Sequence, residues 1–244
     1  VRLTGETNGH SSGYIYNYVN GKHFNIGGSG VQVVSSPVKY GTNAIQFDGT
    51  TSSYIRTRST SDNGLAPFLW SSNADWWSHP GKRGGFPDLS GDWTFETWIR
   101  FDDIVAYGNP HGIFSVAKLH GSSGVGKGVG LSLIGGSVGN YRLVWHNALH
   151  IGTSGVNPTE VSLQDWSSAW QQNTWYHISL SRRASDGRLF AHVNGTYIEP
   201  SSGAYYDTNL NDLSASNLDS DYDFRIGNNW SLDASWTSVT FNHY

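Results

Sequence analysis

Glutamate is scarce in this chain, and Glu6, Glu96, Glu160 and Glu199 are the complete set. Retaining glycoside hydrolysis needs two carboxyl groups about 5–5.5 Å apart. One strand supplies such a pair at a spacing of two or four residues. Glu96 has Thr94 and Trp98 as its same-face neighbours and no second acid, and the pattern E-x-D-x-x-E is absent. Glu96 is therefore expected to be a structural residue, hydrogen-bonded near the inner sheet. Asp219, Asp221 and Asp223 recur at a spacing of two, so an extended backbone would put their side chains on one face. Such a set can hold Ca²⁺ together with carbonyl oxygens. The glycine and distal glutamate of an EF-hand are missing, and a solvated acidic turn is the simpler reading. Structural Ca²⁺ is the only cofactor that the sequence raises.

Other patterns fall further short. Gly121-Ser122-Ser123-Gly124-Val125-Gly126-Lys127-Gly128 nearly matches a phosphate-binding loop. The hydroxyl position is Gly128, and a strand pattern follows where a helix is required. The segment reads as a loop between strands. Ten histidines are scattered; His146 and His150 are four apart, but in a segment without helical periodicity. No Gly-x-Ser-x-Gly elbow occurs and no Ser/His/Asp set can be picked out. Cysteine is absent, which excludes disulfides, thiolate metal sites and cysteine nucleophiles.

Aromatic residues in polar loops are the better functional lead. Trp70, Trp76, Trp77 and His79 sit among Ser, Asn, Gly and Pro, and Asp165, Trp166 and Trp170 form a second group. An indole face can stack on the apolar face of a sugar ring, while nearby Asn, Asp and His bind hydroxyls. The same amphipathic rings serve protein interfaces or pin a loop to its own core. All three readings stay open at these positions. Asn194-Gly-Thr196 and Asn229-Trp-Ser231 match the glycosylation triplet, which matters only in a secreting eukaryote.

The elements that position these residues read as strands. Trp93–Phe101 alternates over nine residues, with Trp93, Phe95, Ile99 and Phe101 on one face and Thr97 between them. Trp98 on the opposite face implies that this face is partly covered too. Ala44–Phe47 and Tyr54–Arg58 flank the turn signal Asp48-Gly49. Gly112–Lys118, Val129–Ile134, Tyr141–Trp145, Trp175–Arg182, Tyr222–Ile226 and Trp236–Phe241 follow as further strands. Arg188–Val193 and Thr196–Ile198 flank Asn194-Gly195, the strongest short hairpin signal. Helical spacing occurs once, at Leu163, Trp166 and Trp170 within Ser162–Gln172, and suits two helical turns or an irregular aromatic loop. Ser59–Ser90 and Ser201–Ser220 are long connections, of the length that is often functional.

Composition bounds the remaining choices. A chain of 244 residues suits one large all-β domain. It starts at Val1 and contains no methionine, so it is expected to be processed or part of a longer chain. Charged residues make up 14% and the net charge is −4, with no basic run beyond pairs such as Lys82-Arg83. Nucleic acid and anionic membranes are poor partners for such a surface. No apolar stretch approaches the roughly 18–20 residues of a membrane span.

Several motifs together resemble a known family. Ala44-Ile45-Gln46-Phe47-Asp48-Gly49, Tyr54-Ile55 and Trp93–Phe101 resemble the FDG…Y…FTIEAWVRF opening of laminin-G-like domains. Asn173–Arg182 is similar to the NTWYHVALVR strand. Phe190, Val193-Asn194-Gly195 and Arg225-Ile226-Gly227-Asn228 follow in family order. The resemblance covers roughly residues 40–230 and is to the laminin-G-like, concanavalin A-like lectin/glucanase jelly rolls. It implies one domain over residues 1–244, built as a two-sheet antiparallel sandwich with at most one short helix. The family's closing strand carries an acidic pair that Leu232–Phe241 lacks.

This fold hosts many functions. The expectation drawn from the resemblance and the missing acids is a non-catalytic adhesion or assembly module. It would sit in a virion structural protein (tail, fibre or capsid decoration) or a secreted surface protein, outside the cell or on the particle. The alternative is a lectin-type module that binds a carbohydrate for host or polysaccharide attachment; a glycoside hydrolase or lyase is third. Expected partners are other chains of an assembly or a glycan, and the sequence leaves oligomerisation open.

Overall fold

The computed structural model describes residues 14–17, 22–27, 30–49, 53–56, 89–102, 104, 111–119, 128–137, 139–151, 159–208, 210, 222–227 and 239–242. The strands in chain order are β1 (Tyr14–Asn17), β2 (Lys22–Gly27), β3 (Val31–Val34), β4 (Ala44–Phe47), β5 (Tyr54–Arg56) and β6 (Trp93–Phe101). There follow β7 (His111–Leu119), β8 (Gly128–Ser137), β9 (Asn140–Ile151), β10 (Thr159–Ser162) and β11 (Trp175–Arg183). The last are β12 (Arg188–Val193), β13 (Thr196–Ile198), β14 (Tyr222–Ile226) and β15 (Val239–Asn242).

They form an eight-stranded sheet, β1-β2-β5-β14-β7-β8-β9-β10, and a seven-stranded sheet, β13-β12-β11-β6-β15-β4-β3. Consecutive strands repeatedly cross from one sheet to the other, as β5 to β6 and β6 to β7 do. That crossing makes the two sheets one sandwich.

The inner faces follow from alternation. β6 turns Thr97, Ile99 and Phe101 inward, and β11 turns in Tyr176, Ile178 and Leu180. Rings bridge the sheets: Phe95 lies 4.4 Å from Phe114, and Trp93 stacks at 6.1 Å on Trp145. Offset and tilted ring pairs of this kind add to the burial energy of a core. The Asn194-Gly195 hairpin forms as expected, with φ of 52° and 78°. A type I′ turn needs both values positive. Asn194 Oδ1 also accepts a hydrogen bond from the His177 amide at 2.9 Å, which ties the turn to β11.

Three features depart from the sequence reading. The central strands are longer than their apolar runs, and β9 reaches Ile151. β10 carries too little alternation to be seen in isolation; its pairing with β9 makes it a strand. Ser162–Gln172 is not helical, and no α-helix occurs among the described residues. Instead Ser167 pairs with Tyr141 of β9 through bonds of 2.7 and 2.9 Å. The edge of the sheet offers backbone partners to this segment, and they outweigh its weak helical periodicity.

Where β8 and β9 pair, the eight-stranded sheet is buried on both faces. Leu143 and Trp145 of β9 point into the core, while Val144 and His146 on the opposite face are buried as well. Ser132 of the neighbouring β8 shares that outer face and lies 2.5 Å from His146 Nε2. Burial lowers the His146 pKa to about 3, with the Arg142 charge adding to the effect, and lowers His111 to about 4. Both rings are neutral at pH 7.

A candidate binding platform at the edge of the eight-stranded sheet

The edge strand β10 positions the most exposed tryptophan among the described residues. β10 runs antiparallel to β9, with Glu160 opposite His146 and Ser162 opposite Val144. Leu163 continues the ladder by donating its amide to Leu143 O at 2.9 Å. The chain then leaves the sheet and rejoins it where Ser167 pairs with Tyr141. Gln164, Asp165 and Trp166 form the excursion. It works as an enlarged edge bulge, the kind of feature that re-aims a side chain.

The Trp166 indole lies over Gly136 of β8. A Cβ built on Gly136 would stand 2.7 Å from the ring, so only glycine lets the indole settle there. The Arg142 guanidinium of β9 sits 4.6 Å from the indole centroid. It is held from behind: Nη1 donates to Ser162 Oγ at 2.5 Å, and Nη2 donates to Glu160 Oε2 at 3.4 Å. Carboxylate, guanidinium and indole thus form a stack. Trp166 keeps 44% of its surface exposed. A ring already fixed in place loses little entropy when a partner lands on it.

The other side of the same segment is interior. Trp170 is only 2% exposed and packs on Tyr176 at 4.6 Å and on Phe101 at 6.2 Å. Its indole N–H donates to Gln164 Oε1 at 2.9 Å. Asp165 accepts from the Ser201 amide at 2.9 Å, which anchors the start of the Ser201–Ser220 connection. Further along that connection, buried Asp207 accepts from the Trp145 indole N–H at 2.6 Å. Asn147 donates to the Tyr205 hydroxyl, whose pKa is pushed up to about 12 by burial and by the Asp207 charge. Arg182, also buried, donates to the carbonyls of Ser90 and Gly91 at 2.6 and 3.1 Å. The described part of this long connection is therefore clamped to the core.

Of the two aromatic candidates among the described residues, Trp166 offers a face and Trp170 is a packing residue. Trp70, Trp76, Trp77 and His79 lie outside the described residues, as do Asp219 and Asp221. The backbone of Asp223 lies within β14, opposite Ala117. No cluster of three His, Asp or Glu able to hold a metal occurs among the described residues. Most of the glycine-rich 121–128 segment is also outside; Gly128 opens strand β8, as the strand pattern required. His146 and His150 belong to strand β9.

Glu96 differs from expectation. It is 67% exposed on the outer face of the seven-stranded sheet, 3.8 Å from His177. An exposed position on a central strand needs no buried partner, so nothing draws it inward. Glu96 and Glu160 stand on outer faces of opposite sheets, which pack about 10 Å apart in a sandwich. These two carboxyls cannot form a catalytic pair. Arg142, Glu160, Ser162 and Gly136 were not evident as a group in the sequence. Only the β8–β9–β10 register gathers them, and the single hint was the placement of Trp166 beside an acid.

The fold is a concanavalin A-like jelly-roll sandwich, and solved structures share it. No protein-family model matches the sequence, and no curated protein matches it. Trypanosoma rangeli sialidase matches with a TM-score of 0.52 and 14% identity over 98% of this chain, which spans 28% of the sialidase chain. The botulinum neurotoxin serotype D/C binding domain matches at 0.51 and 10% identity over the whole chain, which spans 47% of that structure. A carbohydrate esterase of the Shiga toxin-encoding bacteriophage phi24B matches at 0.50 and 11% identity, over 99% of this chain and 93% of that one. At these identities the likeness is one of fold.

Proposed function

We propose that this domain is a non-catalytic attachment module that holds a saccharide on the Trp166 platform. The observation that carries the reading is a 44% exposed indole, fixed by a glycine beneath it and a carboxylate-held guanidinium beside it. The C–H face of a sugar ring stacks on the free indole surface. The exposed Glu160 carboxylate accepts hydrogen bonds from its hydroxyls. The separation of Glu96 from Glu160 supports binding over hydrolysis. Two of the proteins that share the fold carry sugar chemistry in their names, and a third is a binding domain. In a virion structural protein or a secreted surface protein, such a module serves adhesion to a host or a polysaccharide.

A glycan array probed with the wild-type chain and with Trp166→Ala tests this. Binding to a saccharide that falls at least about tenfold in the variant is expected. A blank array, or saccharide binding that Trp166→Ala leaves intact, overturns the reading. Retention of wild-type binding to a partner protein chain, lost only in the variant, would instead assign Trp166 to assembly.

A further inference from the structure

The seven-stranded sheet repeats the chemistry of the Trp166 platform. On the outer face of β12, the Arg188 guanidinium lies 4.9 Å from the Phe190 ring centroid and 6.0 Å from that of Tyr206. Its Nη2 donates to Glu199 Oε1 at 3.2 Å and to the Tyr197 hydroxyl at 2.9 Å. The elements are those of the first platform: an aromatic ring, a guanidinium beside it and a glutamate holding the guanidinium. Tyr197 and Tyr206 keep 39% and 48% of their surface exposed. Together with Trp166 they are three of the four large exposed aromatic side chains among the described residues; Tyr40 is the fourth.

Strand register spaces these groups. Tyr197 lies opposite His192, and Tyr206 lies opposite Arg188 on the same edge of β12. Four residues of strand separate the two positions, about 13 Å. Glu199 stands between them. Cross-strand ring pairing, 6.2 Å between Phe190 and Tyr197, stabilises the hairpin but does not require either tyrosine to stay exposed.

Charge narrows the occupant. Arg188 is paired with Glu199, and the adjacent Arg183 with Asp186 at 2.5 Å. Each cation has its carboxylate, so the surface is balanced and complements an uncharged, hydroxyl-rich ligand in preference to an anionic one. We propose that the β12–β13 face, with Tyr206 at its end, is a second saccharide-binding site for an uncharged oligosaccharide. The proposal rests on the reading of Trp166 as a sugar platform. The two sites occupy outer faces of opposite sheets, so one chain bridges two glycan strands.

Affinity electrophoresis through gels containing a β-glucan, a mannan or a galactan tests this, with turbidity of the same polysaccharides in solution as the second readout. The wild-type chain is expected to be retarded by one of them and to cross-link it. Trp166→Ala and the pair Tyr197→Ala/Tyr206→Ala should each still be retarded, about tenfold more weakly, and neither should cross-link. The triple variant should run free. Tyr206→Ala alone lies outside the strands and serves if the pair melts early. Wild-type retardation and cross-linking by both tyrosine variants, with loss only in Trp166→Ala, removes the second site and leaves the first. Absence of retardation of the wild type, or full retardation of the triple variant, removes both.

Discussion

Trp166 and Trp170 stand four residues apart on one segment and do opposite things. Trp170 is interior, ringed by Tyr176 and Phe101, with its N–H bonded to Gln164. Trp166 lies on the outer face of the sheet, against Gly136 and Arg142. A helix would have placed both on one side, since residues four apart share a helix face. The edge pairing of Ser167 with Tyr141 separates them. A ring's exposure is thus decided by which side of the edge the chain is on, and the same residue type becomes either core or contact surface.

Four substitutions and one change of condition sharpen that contrast. Trp170→Ala should cost about 3–5 kcal/mol in urea unfolding, the range for emptying a large aromatic site. A cost under about 1 kcal/mol would place the ring outside the core. Acid should come next. Folded His111 and His146 resist protonation until about pH 4 and 3, whereas the unfolded chain takes up these protons below about 6.5. Their contribution is complete above about pH 6.5 and drains as pH falls. Between pH 6.5 and 5.5 the two together should remove about 2 kcal/mol, and the slope steepens toward about 1.4 kcal/mol per pH unit each once the unfolded rings are fully protonated. His146→Gln should flatten part of that slope; an unchanged slope would break the link to His146.

Trp166→Ala should leave unfolding within about 1 kcal/mol of wild type, the range for a surface position. Saccharide binding should fall by about 1.4 kcal/mol or more, the tenfold loss expected on an array. Equal losses in stability and binding would merge the two tryptophans into one structural class. Smallest of all, Gly136→Val places side-chain atoms where the indole rests, 2.7 Å from the first added carbon. The ring must shift, and binding should weaken severalfold, about 1 kcal/mol, with the fold intact. Calorimetric titration with the best array glycan reads that change.

Much of the sandwich was legible beforehand because strand signals are local. Ala44–Phe47, Arg188–Val193, Thr196–Ile198 and Tyr222–Ile226 have the bounds that their alternation and turn residues gave. Asn194-Gly195 announced its hairpin because positive φ at two successive residues has few other sequence solutions. β10 stayed hidden, since four residues of Thr-Glu-Val-Ser have no signature until β9 supplies their partners. Glu96 was misplaced toward an inner sheet because alternation groups residues into faces without saying which face meets water.

The candidate platform was legible only as one tryptophan in a polar loop. Nothing in the order of residues links Gly136, Arg142, Glu160 and Trp166, which come from three strands and a bulge. The same holds for Arg188, Tyr197, Glu199 and Tyr206 on the opposite sheet. Sequence alone determined the all-β class, most of the strands and the scarcity of acids, because each depends on residue type or on spacing along the chain. Tertiary structure alone decided which tryptophan meets solvent, which glutamate holds an arginine and which carboxylates stay apart. Those outcomes depend on register and on sheet crossing, and both are set between strands.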